Sequence, residues 1–405
     1  MNQRNAICLL LTGTVMACRG TNSQYVLNEA MIDTLANGVV QVTNTGPTMW
    51  ADTNGWRLVE ELVIDPPDGS PGEFSDVTKL VADDAGNVYV MQIMPTAIKK
   101  FDARGNWLLD IGREGDGPGE FRDGMLYSHG DTLLVQDPNN ARITTFLTDG
   151  TLLGTMPSQC CYFTAPLPTV EGGLAMIMGQ PPAGHEDARY ALYLTRMDGT
   201  IVDTIVRRSA APPRVTSAMW TVTRTTPAGA TQRISLAIPG DPREQSAWRR
   251  DRQQVTGNTG VYRLALRRNF EDTLRTFEAP ASPLTFTDAE RDSVLQATIS
   301  GEPEDWREAI RGVARADQIP ATRPLWSQVA TDLENRIWVG LPGPGTDVAT
   351  LDVFSKEGVL LGKLPAPHPA ILEDGFWTRD RVYLRDLDAD GRPIIRVFRL
   401  EQTIP

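Results

Sequence analysis

The chain has 405 residues, with 39 Lys and Arg against 51 Asp and Glu, for a formal net charge of −12. That length exceeds the usual single-core domain and implies two domains or one architecture of repeated sheets, while 35 Gly and 29 Pro favour turns over long helices. An acidic chain with no clustered basic stretch excludes nucleic acid as a partner, because phosphate binding needs grouped Lys and Arg to displace counterions.

At the N-terminus, Arg4 precedes the apolar run Ala6 to Leu11 and then Val15-Met16-Ala17-Cys18. The apolar run is far shorter than the roughly 20 residues of a membrane span, so residues 1–17 read as a secretory signal. Val15 to Cys18 resembles the lipobox of bacterial lipoproteins. The resemblance implies that Cys18 is lipidated and holds the chain at the bacterial cell envelope, with membrane contact through the acyl chains alone. Each buried CH₂ of such a chain contributes about 0.8 kcal/mol. An ordinary cleaved signal with an incidental cysteine is the alternative. Residues 18–37 then form a tether, and two strand-like stretches follow, Gly38 to Thr43 and Trp56 to Val63.

A repeat occupies the rest of the chain. Its first unit is the turn and strand Ala82 to Val90, followed by the strand and turn Ile98 to Gly105. The second is Ser128 to Val135 with Arg142 to Gly150, and both Phe101 to Phe146 and Gly105 to Gly150 span 45 residues. The third pairs Val170 to Ile177 with Tyr190 to Met197. Before it stand Cys160 and Cys161, whose Cα atoms can be only about 3.8 Å apart, so they form either a strained vicinal disulfide or two free thiols on opposite faces of a strand. Residues 208–245 read as an irregular insertion. A degraded fourth unit follows, Arg252 to Thr256 with Val261 to Leu266.

Residues 286–314 break the period differently. Thr287 offers an N-cap, Val294, Leu295 and Ile299 share one helical face, and Pro303 opens a second short helix, so a helical excursion capping one end of the molecule is expected. The fifth unit pairs Asp332 to Val339 with Leu351 to Phe354, and the sixth pairs Asp380 to Leu384 with Ile395 to Phe398.

Six strand pairs spaced near 45 residues match the four-stranded antiparallel blade of a β-propeller, since each blade exposes apolar surface on both faces and is stable only when neighbours stack on it. The expected fold is therefore all-β, a six-bladed propeller over 38–405 with a small helical insertion. An open first or last blade would invite strand addition from other chains, so Trp56 to Val63 is expected to supply the missing outer strand of the sixth blade, with Gly38 to Thr43 beside it.

Ahead of the second blade stands Ile111-Gly112-Arg113-Glu114-Gly115-Asp116-Gly117-Pro118-Gly119-Glu120-Phe121, and ahead of the first the shorter Gly69-Ser70-Pro71-Gly72-Glu73-Phe74. Both resemble the glycine-rich linker of NHL-repeat and related six-bladed propellers, and Asp83 to Val90 resembles the strand that follows it there. The resemblance implies the fold, and among its members are lyases and lactone hydrolases that hold a metal on the axis. Physically, the glycines permit positive φ, and Phe121 can plug apolar space between blades. A phosphate cradle is disfavoured, because no Lys-Ser/Thr follows and no helix opens.

Candidate sites are few. Asp386, Asp388 and Asp390 have the alternating carboxylates of a calcium loop, but Ile394 and Val397 stand at the ninth and twelfth positions where further ligands belong, so an acidic hairpin turn explains them equally. His129, His185 and His368 lie at no ligand spacing, and no local nucleophile motif occurs. Trp220, Trp248, Trp306, Trp326, Trp338 and Trp377 crowd the second half, as core or as rim anchors. The expectation is a monomeric, lipid-anchored binding scaffold that needs no cofactor. It would meet a protein or glycan ligand on the face carrying the two insertions. The alternative is a metal-dependent lyase or lactone hydrolase with an axial site.

Overall fold

The computed structural model describes residues 30–45, 48, 50, 55–157, 169–170, 174–179, 181–185, 188–196, 200–208, 218–268, 272–343 and 347–402. The signal at 1–17, Cys18 and the Cys160, Cys161 pair lie outside them. Among the described residues no helix is long and apolar enough to cross a membrane.

Among the described residues, six sheets, each with an antiparallel set of four strands, follow one another along the chain. The first comprises Asp76–Ala82, Val88–Ile93, Ala97–Phe101 and Trp107–Ile111, and the second Met125–His129, Thr132–Asp137, Arg142–Leu147 and Leu152–Pro157. The third holds Thr169–Val170, Leu174–Gly179, Ala188–Arg196 and Ile201–Arg208. The fourth holds Glu244–Trp248, Gln253–Asn258, Arg263–Arg268 and Asp272–Glu278, and the fifth Gln328–Thr331, Ile337–Pro342, Val348–Phe354 and Leu360–Pro365. In the sixth, Gly375–Trp377, Arg381–Leu387 and Pro393–Gln402 are joined by Trp56–Ile64, which pairs antiparallel with the last strand from Ile64 opposite Ile395 to Trp56 opposite Gln402. This arrangement is that of a β-propeller.

The middle strands are covered on both faces: Thr132–Asp137 is buried at every position, with Leu133, Leu134 and Val135 at its centre. Separate cores lie between successive sheets. One joins the first and second through Tyr89, Met91, Leu133 and Phe146. Others join the fourth and fifth through Phe277 and Phe354, and the fifth and sixth through Trp338 and Trp377. The sixth packs on the first through Ile395, Tyr383, Val90 and Phe101.

The glycine-rich linkers do what their sequence suggests. Phe121 is fully buried in the core between the first and second sheets, its ring edge-on to Phe146 at 6.2 Å, and Phe74 occupies the corresponding place against Phe101 at 5.2 Å. Gly112 lies at φ 70°, and a Cβ there would stand 2.2 Å from Cε1 of Phe121. Glu120 holds the loop by accepting from the Gly117 amide at 2.7 Å and from Arg113 at 2.8 Å.

Three N-terminal and insertion features differ from expectation. Val40–Asn44 is a strand, but it runs parallel to Asp272–Glu278 on the outer edge of the fourth sheet and not beside Trp56–Ile64. The Asn44 side chain fixes this choice: buried, it donates to the carbonyls of Glu278 (2.9 Å) and Gly358 (3.1 Å) and accepts from the Leu360 amide (2.8 Å), tying the fourth sheet to the fifth. Ala30–Thr34, expected within the tether, is a further strand paired with Val40–Asn44.

The insertion at 208–245 is also not wholly irregular, for Met219–Thr225 and Thr231–Ala237 form an antiparallel hairpin. Helices α1 (Asp288–Gly301) and α2 (Glu304–Val313) pack their apolar faces on that hairpin, burying Val294, Leu295, Ile299, Trp306 and Ile310 with Trp220 and Val222. The two insertions are thus one module with its own core. Thr287 caps α1 in a reciprocal capping box with Glu290.

Candidate functional site: an axial cavity

The first strands of five sheets border a cavity of about 270 Å³. Lys79 and Val81 of the first sheet line it, with Leu126 to Ser128 of the second, Ser246 to Trp248 of the fourth, Val329 to Thr331 of the fifth and Gly375 to Trp377 of the sixth. It reaches from Glu373, in the loop entering the sixth sheet, to Arg250 and Leu333, in turns that leave the first strands of the fourth and fifth. The lining mixes apolar and aromatic side chains such as Leu126, Trp248 and Phe376 with polar and charged ones such as Ser246, Thr331 and Lys79, and so offers both cover and orienting groups to a small molecule.

Lys79 is one of the titratable groups in this wall. Burial pushes its ammonium below the ordinary lysine range, Asp374 opposes that shift, and Arg385 adds to it. Asp374 is already engaged, accepting from Arg385 at 2.9 Å. Glu373 lies at the cavity's edge and accepts from Gln328 at 3.1 Å. Asp332, also in the wall, is buried and accepts from Arg336 at 2.5 Å and from the Trp338 indole at 2.9 Å.

The residues singled out in the sequence lie elsewhere. Asp386, Asp388 and Asp390 belong to the hairpin of the second and third strands of the sixth sheet, Asp386 at the end of the second strand and the other two in the turn. Asp388 accepts from the amides of Asp390 and Arg392, both at 2.8 Å, and from the Arg392 side chain; these bonds, the Arg392 amide first, hold its carboxyl below the usual range. Asp386 is taken up by Arg396 at 2.6 Å. The same turn chemistry recurs at Asp102, which accepts from the amides of Arg104 and Asn106. These bonds are those of an acidic hairpin turn.

His368 also belongs to this corner, its Nε2 lying 3.5 Å from Asp386, while His129 ends the first strand of the second sheet and His185 sits in a loop after Pro182. Among the described residues no three His, Cys, Asp or Glu side chains stand where they could hold a metal ion. Trp220, Trp306, Trp326 and Trp338 are buried and serve packing, whereas the buried Trp377 and the half-buried Trp248 both line the cavity. Lys79 was not distinguished in the sequence. It sits in Asp76–Ala82 as one charged residue among alternating ones, and only the assembly of five sheets gives it a role.

No family model and no curated protein matches the chain. Solved structures do. A Bacteroides fragilis protein described as exported is 9% identical, with 90% of this chain and 99% of that one covered at a TM-score of 0.46. A member of the DUF4221 family from Bacteroides vulgatus is 12% identical over 87% and 100% of the two chains, at 0.45. Virginiamycin B lyase from Staphylococcus aureus is 9% identical over 86% and 100%, at 0.37. At these scores none of them passes a substrate, a metal or a partner to this chain.

Proposed function

We propose that the chain is an exported six-bladed propeller, its ring closed by Trp56–Ile64, that is held at the bacterial cell envelope by lipid on Cys18 and works as a binding protein. The ring is supported by the core that joins the sixth sheet to the first, and by six sheets following one another in sequence. The envelope location is supported by the apolar run and Val15-Met16-Ala17-Cys18.

The observation that carries the binding role is the axial cavity: first strands from five sheets border one recess whose walls mix apolar and aromatic side chains with polar ones. Such a recess takes a small molecule by covering its apolar body while a few polar groups orient it. The module of hairpin and helices offers a second surface, where a protein or glycan partner would dock without disturbing the sheets.

A library of small organic acids, amines and neutral aromatics, scanned by thermal unfolding, tests the cavity. Ligands should raise the Tm of the wild-type protein and lose that effect in Ala330→Trp, which fills the recess from the fifth sheet. Equal shifts for both proteins, or no shift with any compound, would refute the role.

A further inference from the structure

We propose that the axial cavity is built for an organic anion with an aromatic or otherwise apolar body, whose negative group pairs with the ammonium of Lys79. The inference rests on the binding role just stated and names the ligand class.

Lys79 is half-buried and lines the cavity. Among the described residues no carboxylate stands within 4.0 Å of its ammonium, although 27 other contacts in the molecule meet that distance. The contrast with the first sheet's other inward lysine is direct. Lys99 is also buried, but it donates to the Pro71 carbonyl at 2.6 Å and faces Asp110 at 3.5 Å. A cation withdrawn from water without a counter-charge is costly, and folds ordinarily supply the partner from the chain itself.

The carboxylates near Lys79 do not fill that place. Asp374 is held by Arg385, so its charge is already balanced, and Glu373 is turned to Gln328. Arg250, at the other end of the recess, adds a second positive charge to the wall. Asp332 is the buried carboxylate of the lining, and it is neutralised by Arg336. The recess therefore holds the Lys79 ammonium, with no carboxylate of the described residues within 4.0 Å, inside walls that include Trp248, Phe376 and Leu126. The lowered affinity of Lys79 for its proton agrees with a charge that lacks its partner. An anion entering from solvent would supply that partner, while its apolar part covers the aromatic wall.

The test uses the full processed chain and three probes of similar shape: indole-3-acetate, its neutral amide and the cation tryptamine, titrated by calorimetry at neutral pH. The carboxylate should bind at least tenfold more tightly than the amide, and tryptamine least of all. Lys79→Met should bring carboxylate and amide to equal affinity, and Lys79→Arg should restore the preference. Thermal unfolding of both variants establishes that they are folded. Equal affinities for carboxylate and amide in the wild type overturn the anion preference while leaving the cavity a binding site. Loss of binding only in Ala330→Trp, with Lys79→Met unaffected, assigns the cavity but removes Lys79 from recognition. Failure of all three probes to bind overturns the inference.

Discussion

The carboxylate of Asp332 accepts the indole N–H of Trp338 at 2.9 Å, six residues along the chain, and the same spacing recurs in the first sheet, where Asp83 accepts the Tyr89 hydroxyl at 2.8 Å. In each sheet the aspartate closes the turn between the first two strands by accepting from two amides of that turn, Glu334 and Arg336 in one and Ala85 and Asn87 in the other. The position two residues before the second strand is left-handed in both, with Asn335 at φ 61° and Gly86 at φ 84°. One side chain thus joins a turn to an aromatic residue in the core between sheets.

Removing that joint should hurt more where it is deeper. Asp332 is 2% exposed, whereas Asp83 is half-buried. Asp332→Ala leaves Arg336 and the Trp338 N–H without their acceptor, a loss of about 3 kcal/mol or more, and Asp83→Ala should lose less. Denaturant unfolding of the two variants checks the order, and equal losses would contradict it.

Trp338 and Trp377 stack with centroids 4.4 Å apart, yet only the first has its N–H satisfied; the buried N–H of Trp377 has no partner among the described residues. Trp338→Phe therefore removes one of the bonds to a buried carboxylate that still accepts from Arg336, at about 1.5–3 kcal/mol beyond the lost area, while Trp377→Phe removes a donor that bonds nothing among the described residues. Unfolding free energies should show the larger loss for Trp338→Phe.

The linker glycines separate two kinds of constraint. Gly112→Ala must accommodate both a left-handed backbone and a clash with the Phe121 ring, whereas Gly130, at φ 56°, has nothing within 4 Å of the added methyl. We expect about 1 kcal/mol for Gly130→Ala, from the backbone alone, and several-fold more for Gly112→Ala, read by the same unfolding assay.

Three phenols set the alkaline limit. Burial raises Tyr383 to about 12; burial and then Asp83 raise Tyr89, and burial and then Asp352 raise Tyr262. A phenol of the unfolded chain ionises near pH 10, so the native state retains protons that the unfolded state has lost. The stability these residues contribute is complete below pH 10 and is lost as pH rises toward 12. Tyrosinate absorbance should lag behind that of the denatured chain at pH 11, with the Tm falling over the same interval. Free titration of all 8 tyrosines near pH 10 would contradict this.

Much of this architecture was legible before coordinates. The 45-residue spacing marked the sheets because each must repeat the same buried middle strands, and Phe121 announced its plug through the glycines that make room for it. Trp56 to Val63 could be assigned to the last sheet because that sheet runs out of chain. Val40–Asn44 was misplaced because its parallel pairing depends on Asn44 meeting Glu278, Gly358 and Leu360, a contact without local signature. The hairpin Met219–Thr225 with Thr231–Ala237 is rich in Thr and Arg, so its alternation carries little apolar contrast. The cavity was hidden for a similar reason: it takes one short strand from each of five sheets.

The pairing of Trp56 with Gln402 joins positions 346 residues apart, and it has a consequence for how the molecule comes into being. During translation, the segment that finishes the final sheet is made long before its partner strand and has nothing to bind. It must wait until almost the entire polypeptide has followed it. Seams so distant in sequence form slowly, since a long loop has to be closed before any contact rewards it. The last step of maturation is therefore the meeting of the two ends, and until then the tail strand's unpaired amides and carbonyls are exposed to whatever else the compartment contains.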